Sequence, residues 1–338
     1  MPLLHDTKAV MYFLISFYLQ LTAVLFACVF ATDTMRRLAT LRIAYICAAM
    51  IASIAGIVGY FQLVPGADLL LLNGRARGTF KDPNVFGPFL VLPLLFLIQA
   101  TLSRGLRVRY VIPGIVILIG LFLSFSRGAW GHFLASVLVM IAFMFATAPT
   151  QRFRARVVAV SAAAAIGGVA ILALLMSLGN VQDMFAQRAS LVQSYDGGAT
   201  GRFATQASSL LGLLDHPIGY GPEQFAKIFG QAPHNTYINS FAAYGWLGGL
   251  MYLALALITA VMGFRATLVR TPWQPYLIAV YSAYLGLAVE SLIIDTDHWR
   301  HYFLLLGLLW SLIAVTKKAQ SPTHERRDVP LGASTVPA

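Results

Sequence analysis

The sequence predicts an all-α fold: a polytopic transmembrane helical bundle of about nine spans with one long, partly helical periplasmic loop. Three observations predict it. Hydrophobic residues make up 58% of the chain and charged residues 11%, against roughly 45 to 50% and 25% in a soluble domain. The apolar residues gather into runs near the roughly 20 residues that cross a bilayer. The runs lack the alternation of a barrel strand, and backbone groups in lipid must be satisfied within their own segment, so each run is expected as a helix.

In order, the runs occupy 10–31, 43–64, 85–101, 110–125, 128–148, 157–178, 243–264, 276–294 and 302–315. Cys28 and Cys47 both fall inside runs, so they read as small buried hydrophobes and give neither a disulfide framework nor metal-ligand spacing. Leu25-Phe26-Ala27-Cys28 weakly resembles a lipoprotein cleavage site. The preceding stretch is longer than a signal-peptide core and lacks a basic flank, so it reads as a retained span.

Alternate connections carry 15 and 9 of the 24 Lys and Arg residues, and the richer side has the shorter loops. By the positive-inside rule that side is cytoplasmic, which puts the amino terminus outside and the carboxyl terminus inside. The net charge of +11 therefore reads as a topology signal and not as a nucleic-acid surface.

Four regions follow: a first membrane bundle at 1–178, a periplasmic loop at 179–242, C-terminal membrane helices at 243–316 and a cytoplasmic tail at 317–338 expected to be disordered. No internal repeat of the transporter type is evident. The stretch 179–242 is too long for a turn and too polar to enter the membrane, so a folded element with a functional task is expected there.

Candidate residues cluster on the outer side. In the long loop stand Thr200-Gly201-Arg202, His216-Pro217-Ile218-Gly219-Tyr220-Gly221-Pro222 and Ala232-Pro233-His234-Asn235-Thr236. His234 is placed near the outer membrane surface, where a neutral imidazole suits proton acceptance from a substrate hydroxyl, although a loop histidine serves structure equally well. Arg127, in Ser126-Arg127-Gly128-Ala129, joins two runs almost directly. A guanidinium near hydrocarbon needs an anionic partner, which a phospholipid phosphate or a substrate would supply. Arg202 can present its planar fork to phosphate in the same layer. The first outer loop, at 65–84, adds Arg75, Arg77 and Asn84 as residues to guide phosphate or sugar, and Asn235 adjoins His234. Glu290 and Asp295-Thr296-Asp297-His298 offer a metal or sugar site, but the Asp-x-Asp spacing is common by chance. No Walker loop, Rossmann fingerprint or Gly-x-Ser-x-Gly elbow is present, so no nucleotide cofactor is expected.

These residues resemble the O-antigen ligase and polymerase superfamily of lipid-dependent bacterial membrane glycosyltransferases. The resemblance rests on Arg77-Gly78-Thr79-Phe80 with Pro83-Asn84, Ser126-Arg127-Gly128-Ala129, Gly201-Arg202, His216-Pro217 with Gly219-Tyr220-Gly221, and His234-Asn235 followed by Gly245 and Gly248. It implies transfer of a glycan from undecaprenyl diphosphate to a hydroxyl acceptor on the periplasmic face, without metal or nucleotide. It implies His234 as base or acceptor-orienting residue, with Arg127 and Arg202 holding the diphosphate. The acceptor is a lipid A core sugar in ligases, a repeat unit in polymerases and a protein Ser or Thr in related enzymes. The expected partners are thus a lipid-linked glycan, a glycan or lipid A core acceptor and membrane lipids, with no nucleic acid. The family pattern has about three more spans and both termini inside, so the nine runs fit loss of the pattern's first three helices, through a shortened gene or a lineage variant. A transporter or flippase for a lipid-linked or anionic solute is the alternative of another class, and a scaffolding membrane protein a third.

Overall fold

The computed structural model describes residues 7–189 and 201–321. Each of the nine apolar runs forms a helix: α1 Thr7–Ala31, α2 Thr34–Tyr60, α3 Pro83–Arg104, α4 Val108–Leu123, α5 Arg127–Ala146, α6 Gln151–Met176, α10 Thr236–Thr267, α11 Gln274–Glu290 and α12 Arg300–Ala319. Three shorter helices, α7 Gly179–Ala189, α8 Arg202–Leu214 and α9 Phe225–Phe229, lie in the long connection between α6 and α10. Among the described residues seven helices are long and apolar enough to cross a membrane. They are 20 to 32 residues long, so the shortest reaches about 30 Å at 1.5 Å per residue. The other two runs form the shorter helices α4 and α11, of 16 and 17 residues.

Burial separates a centre from a periphery. Helices α3, α11 and most of α12 are buried, with α5 along α11, α1 along α12, and α2 and α4 against α3. Leu95, Leu277, Leu308 and Tyr284 fill the middle of the core. By contrast α6 and α10 leave most of their apolar side chains exposed, which only lipid can cover. The C-terminal helix continues through Lys317 and Lys318 to Ala319, past the expected start of the tail. Basic side chains in its last turn complement the helix dipole. The rest of the tail, 322–338, lies outside the described residues.

Chain direction puts several helix ends together. The ends of α2, α4, α6 and α11 and the starts of α1, α3, α5, α10 and α12 share the end that bears the 61–82 and 177–235 connections. The first of these folds back as a hairpin, Leu71–Leu72 with Arg75–Ala76. Its turn is Asn73-Gly74, both in the left-handed region, the pair that a two-residue hairpin favours.

A joint in α10 fixes the second connection. Gly245 breaks the helix with φ 70° and ψ −170°, and the His216–Gly221 turn docks into the break. The Tyr220 amide donates to Ala242 O at 2.8 Å and the Trp246 amide to Pro217 O at 2.9 Å. A Cβ on Gly245 would stand 2.5 Å from Pro217 O, so both backbone angle and space demand glycine. Gly245→Ala is expected to cost about 1 to 3 kcal/mol, seen as a lower thermal unfolding midpoint of the detergent-purified chain. Gly131→Ala, on an open helix face, should leave that midpoint unchanged or raise it slightly.

Candidate functional site

Four of the motif stretches prove to be helix starts. Asp82 caps α3, accepting from the Asn84 amide at 2.7 Å, with Pro83 in the first turn. Ser126 caps α5 by accepting from the Ala129 amide, and Asn235 caps α10 by accepting from the Ile238 amide at 3.1 Å. Gly201 precedes α8, which begins at Arg202. The starts of α3, α5 and α10 lie at the loop-bearing end, where their unpaired amides favour anions.

Arg75 ties the first hairpin to two of these elements. Its guanidinium donates to Asn84 Oδ1 at 2.8 Å and to Ser124 O at 2.9 Å, bridging the start of α3 and the end of α4. Arg127 stands two residues beyond the sharp turn at Phe125, in the first turn of α5 and half-buried. Arg77 instead turns onto its own loop, donating to Leu69 O at 2.9 Å and Lys81 O at 3.3 Å. The side chain of Arg202 lies outside the described residues.

His234 and Asn235 are held from the α11–α12 link. Asp295 accepts the His234 amide on Oδ2 at 3.2 Å and the Asn235 amide on Oδ1 at 3.0 Å. The His234 imidazole is half-exposed, its Nδ1 3.9 Å from Asp295 Oδ2, and its backbone is left-handed at φ 46°. Next to it Thr236 is buried. Its amide donates to Ser291 O at 2.9 Å, and its hydroxyl lies 3.1 Å from that of Thr296, which meets Ser291 Oγ at 2.7 Å. From the other side Gln206 of α8 donates to Pro233 O and His234 O. The histidine thus sits on a rigid footing with its ring outward.

Asp297 makes different contacts from Asp295. Its Oδ2 accepts from Tyr12 OH at 2.7 Å and Asn239 Nδ2 at 3.1 Å, and faces His298 Nδ1 at 3.2 Å. The two carboxylates therefore do not converge. Among the described residues no three His, Cys, Asp or Glu side chains gather as metal ligands. Burial alone would push the Asp297 carboxyl up, but the hydrogen bond and charge of His298, with the Tyr12 hydroxyl, hold it below the usual carboxylate range. Burial likewise lowers His298, and the Asp297 carboxylate more than offsets this, so the imidazole is raised. A cavity of about 620 Å³ opens beside this cluster, lined among others by Asn239, Asp295, Asp297, His298 and Trp299, and next to Pro233.

Glu290 ends α11 beneath this layer. Its Oε2 meets His132 Nδ1 of α5 at 2.9 Å, and Oε1 lies against Gly128, next in sequence to Arg127. His132 Nε2 is 2.9 Å from Ala283 O. Both side chains are fully buried.

Of the predicted residues, the structure joins Arg75 with Asn84, and His234 with Asn235 through Asp295. Arg127 stands at the same end. The expected set lacked Tyr12, His132 and Asn239. A polar residue one helical turn after the Asn235 cap was the one sequence signal available for Asn239.

The segment 112–253 matches the family described as Wzy_C, O-Antigen ligase. It runs from α4 into α10 and contains Arg127, Arg202, His234 and Asn235. No curated protein matches the chain.

The Asp297–His298 pair makes stability depend on pH from both sides. The raised imidazole stabilises fully below its ordinary value of 6.5 and loses its contribution as pH rises through its higher folded value. The depressed carboxyl contributes above its ordinary 3.8 and fails as pH falls through its lower folded value. The difference in unfolding midpoint between the wild type and His298→Asn is expected to be largest between those two ordinary values and to shrink above them. A difference independent of pH would contradict the pairing.

Proposed function

With its segment 112–253 the chain belongs to the O-antigen ligase superfamily, whose activity is glycosyl transfer of the ligase or polymerase type, and from that premise we propose that it ligates O-antigen to lipid A core. In this reading the donor is a glycan on undecaprenyl diphosphate. The acceptor is a sugar hydroxyl, and the loop-bearing end faces the periplasm of a bacterial inner membrane, with the carboxyl terminus cytoplasmic. The distribution of Lys and Arg supports that orientation.

The acceptor oxygen attacks the anomeric carbon of the donor sugar. The bond from that carbon to the diphosphate oxygen breaks, and its electron pair leaves on undecaprenyl diphosphate. The acceptor proton passes to the His234 imidazole. Negative charge grows on the leaving diphosphate, and Arg127, Arg202 and the Arg75–Asn84 pair meet it with guanidinium forks and helix-start amides. No metal or nucleotide is required, because the donor already carries the leaving group. Arg77, which binds loop carbonyls, acts in this scheme by shaping the loop that bears Arg75.

The observation that carries the reading is the Asp295 clamp. A carboxylate that binds two successive amides presents the imidazole at a fixed height above the bundle, and it lies close enough to favour the imidazolium that forms. The acceptor saccharide fits the adjoining cavity, where Asn239 and the Asp297–His298 pair offer hydrogen bonds and Trp299 an aromatic wall.

His234→Ala is expected to lower transfer by about a hundredfold or more, with the protein at its normal level in the membrane. The assay is a gel shift of lipid A core in proteoliposomes supplied with lipid-linked glycan. Undiminished transfer would remove His234 from the chemistry. Arg127→Gln should raise the donor KM and lower kcat together, as expected for a group that grips the leaving diphosphate.

A further inference from the structure

Helix α8 is amphipathic in the wrong sense for a water-exposed helix. Phe203, Leu210, Leu211 and Leu214, with Ala207 among them, recur at helical spacing and form one stripe. These four large side chains are 53 to 70% exposed among the described residues. The face turned to the protein carries Thr205 and Ser209, both buried. Thr205 accepts from Gln231 Nε2 at 2.6 Å, and the neighbouring Gln206 donates to the carbonyls of Pro233 and His234. No charged residue occurs between 203 and 214. Apart from Leu213, which is buried with Phe225 and Ile238, the large apolar side chains of α8 therefore face outward while Thr205 and Ser209 face inward, which water alone does not sustain.

The stripe continues a surface that meets lipid. Leu213 O accepts from Trp246 Nε1 of α10 at 2.8 Å, so α8 is pinned at the α10 joint. Ile218, in the turn that docks into the joint, is 88% exposed. Beyond the joint α10, itself long and apolar enough to span, exposes Leu247, Leu250 and Met251. The exposed apolar residues run from the span through the turn onto α8, with Asp215, exposed at the end of α8, the one acidic residue between Leu214 and Ile218.

We infer that α8 lies in the membrane–water boundary at the loop-bearing end, its Phe203–Leu214 stripe seated among lipid chains and its polar face holding the His234 segment. Lipid is the partner because the surface is continuous with the lipid-facing side of α10 and the Phe203–Leu214 stripe itself carries no charge to pair with a protein. A consequence follows that rests on the proposed transfer reaction. Gln206 ties the segment that Asp295 clamps to a helix lying in the bilayer surface, so a lipid-borne substrate and the imidazole share one reference plane.

The test is site-directed spin labelling of the full chain in liposomes, in a Cys28→Ser, Cys47→Ser background. Labels go singly at Leu210→Cys, Leu211→Cys, Leu214→Cys and Ser208→Cys, with Leu247→Cys on α10 as the lipid reference. Molecular oxygen, which concentrates in lipid, and a water-soluble nickel chelate are the probes. The oxygen-to-nickel collision ratio at 210, 211 and 214 is expected to approach that at 247 and to exceed that at 208 about threefold or more. Two results overturn the inference: nickel reaching 211 as freely as 208, or both probes being excluded there, as under another protein or another part of the chain. These readouts are independent of turnover. Loss of the transfer reading would leave the lipid signature in place, and a water signature would sink the interfacial helix without touching the transfer assay.

Discussion

One carboxylate organises the loop-bearing end of this bundle. Asp295 spends both oxygens on the amides of His234 and Asn235, so two successive N–H groups point into one anion, the arrangement known as a nest. The left-handed backbone at His234 costs about 1 to 2 kcal/mol for a residue with a Cβ. Charge-assisted hydrogen bonds, at roughly 1.5 to 3 kcal/mol each, are of the size needed to hold it there. The buried Thr236, Ser291 and Thr296 close a further ring between the same two segments. The start of α10 and the link after α11 therefore behave as one unit. That unit also bears the α10 cap, and the cavity with Asp297 and His298 opens against it.

A charged unit of this kind has to be insulated from the apolar bundle beneath, and Glu290 with His132 marks the boundary. The proton inventory constrains the pair. Ala283 O can only accept, so His132 Nε2 carries a hydrogen, and one more proton lies between Nδ1 and Glu290 Oε2. Whichever partner holds that proton, the pair is neutral overall. A buried ion without a partner would cost several kcal/mol, and a net-neutral pair between α5 and α11 avoids most of it. It also fastens the first turns of α5, which carry Arg127, to the helix whose end leads to Asp295.

The architecture was legible because lipid imposes a simple rule, that apolar runs of bilayer length become helices, and the nine runs did so. The boundaries were less legible. Helix α10 starts at Thr236, ahead of its apolar run, because Asn235 caps it and Gly245 absorbs the break before the span. The motif residues lie at helix starts and turns, and position in sequence did not separate candidates for chemistry from scaffolding. Gly219, Gly221 and Gly245 form a backbone joint, and Arg77 satisfies loop carbonyls. What sequence could not disclose were pairings across the fold. Tyr12 meets Asp297 at a separation of 285 residues, and His132 meets Glu290 at 158. No local pattern encodes such contacts. Averaged composition also hid the outward apolar stripe of α8 inside a connection that is polar as a whole.

The charges at this end are unevenly divided. Arg75 and Arg127 stand where α3, α4 and α5 meet, among helix-start amides, while Asp295, Asp297 and Glu223, with Lys8 the one lysine among them, line the cavity beside α1, α10 and the start of α12. The C-terminal end of α11 touches both halves, through Glu290 on the α5 side and the Asp295 link on the α10 side. In the proposed reaction this division sorts the substrates. A diphosphate is drawn to the guanidinium half, and the carboxylate half repels it while accepting hydrogen bonds from sugar hydroxyls. His234, fixed to the dividing segment, then faces an acceptor on one side and a leaving anion on the other. That is the position from which one imidazole can take a proton without itself competing for the diphosphate.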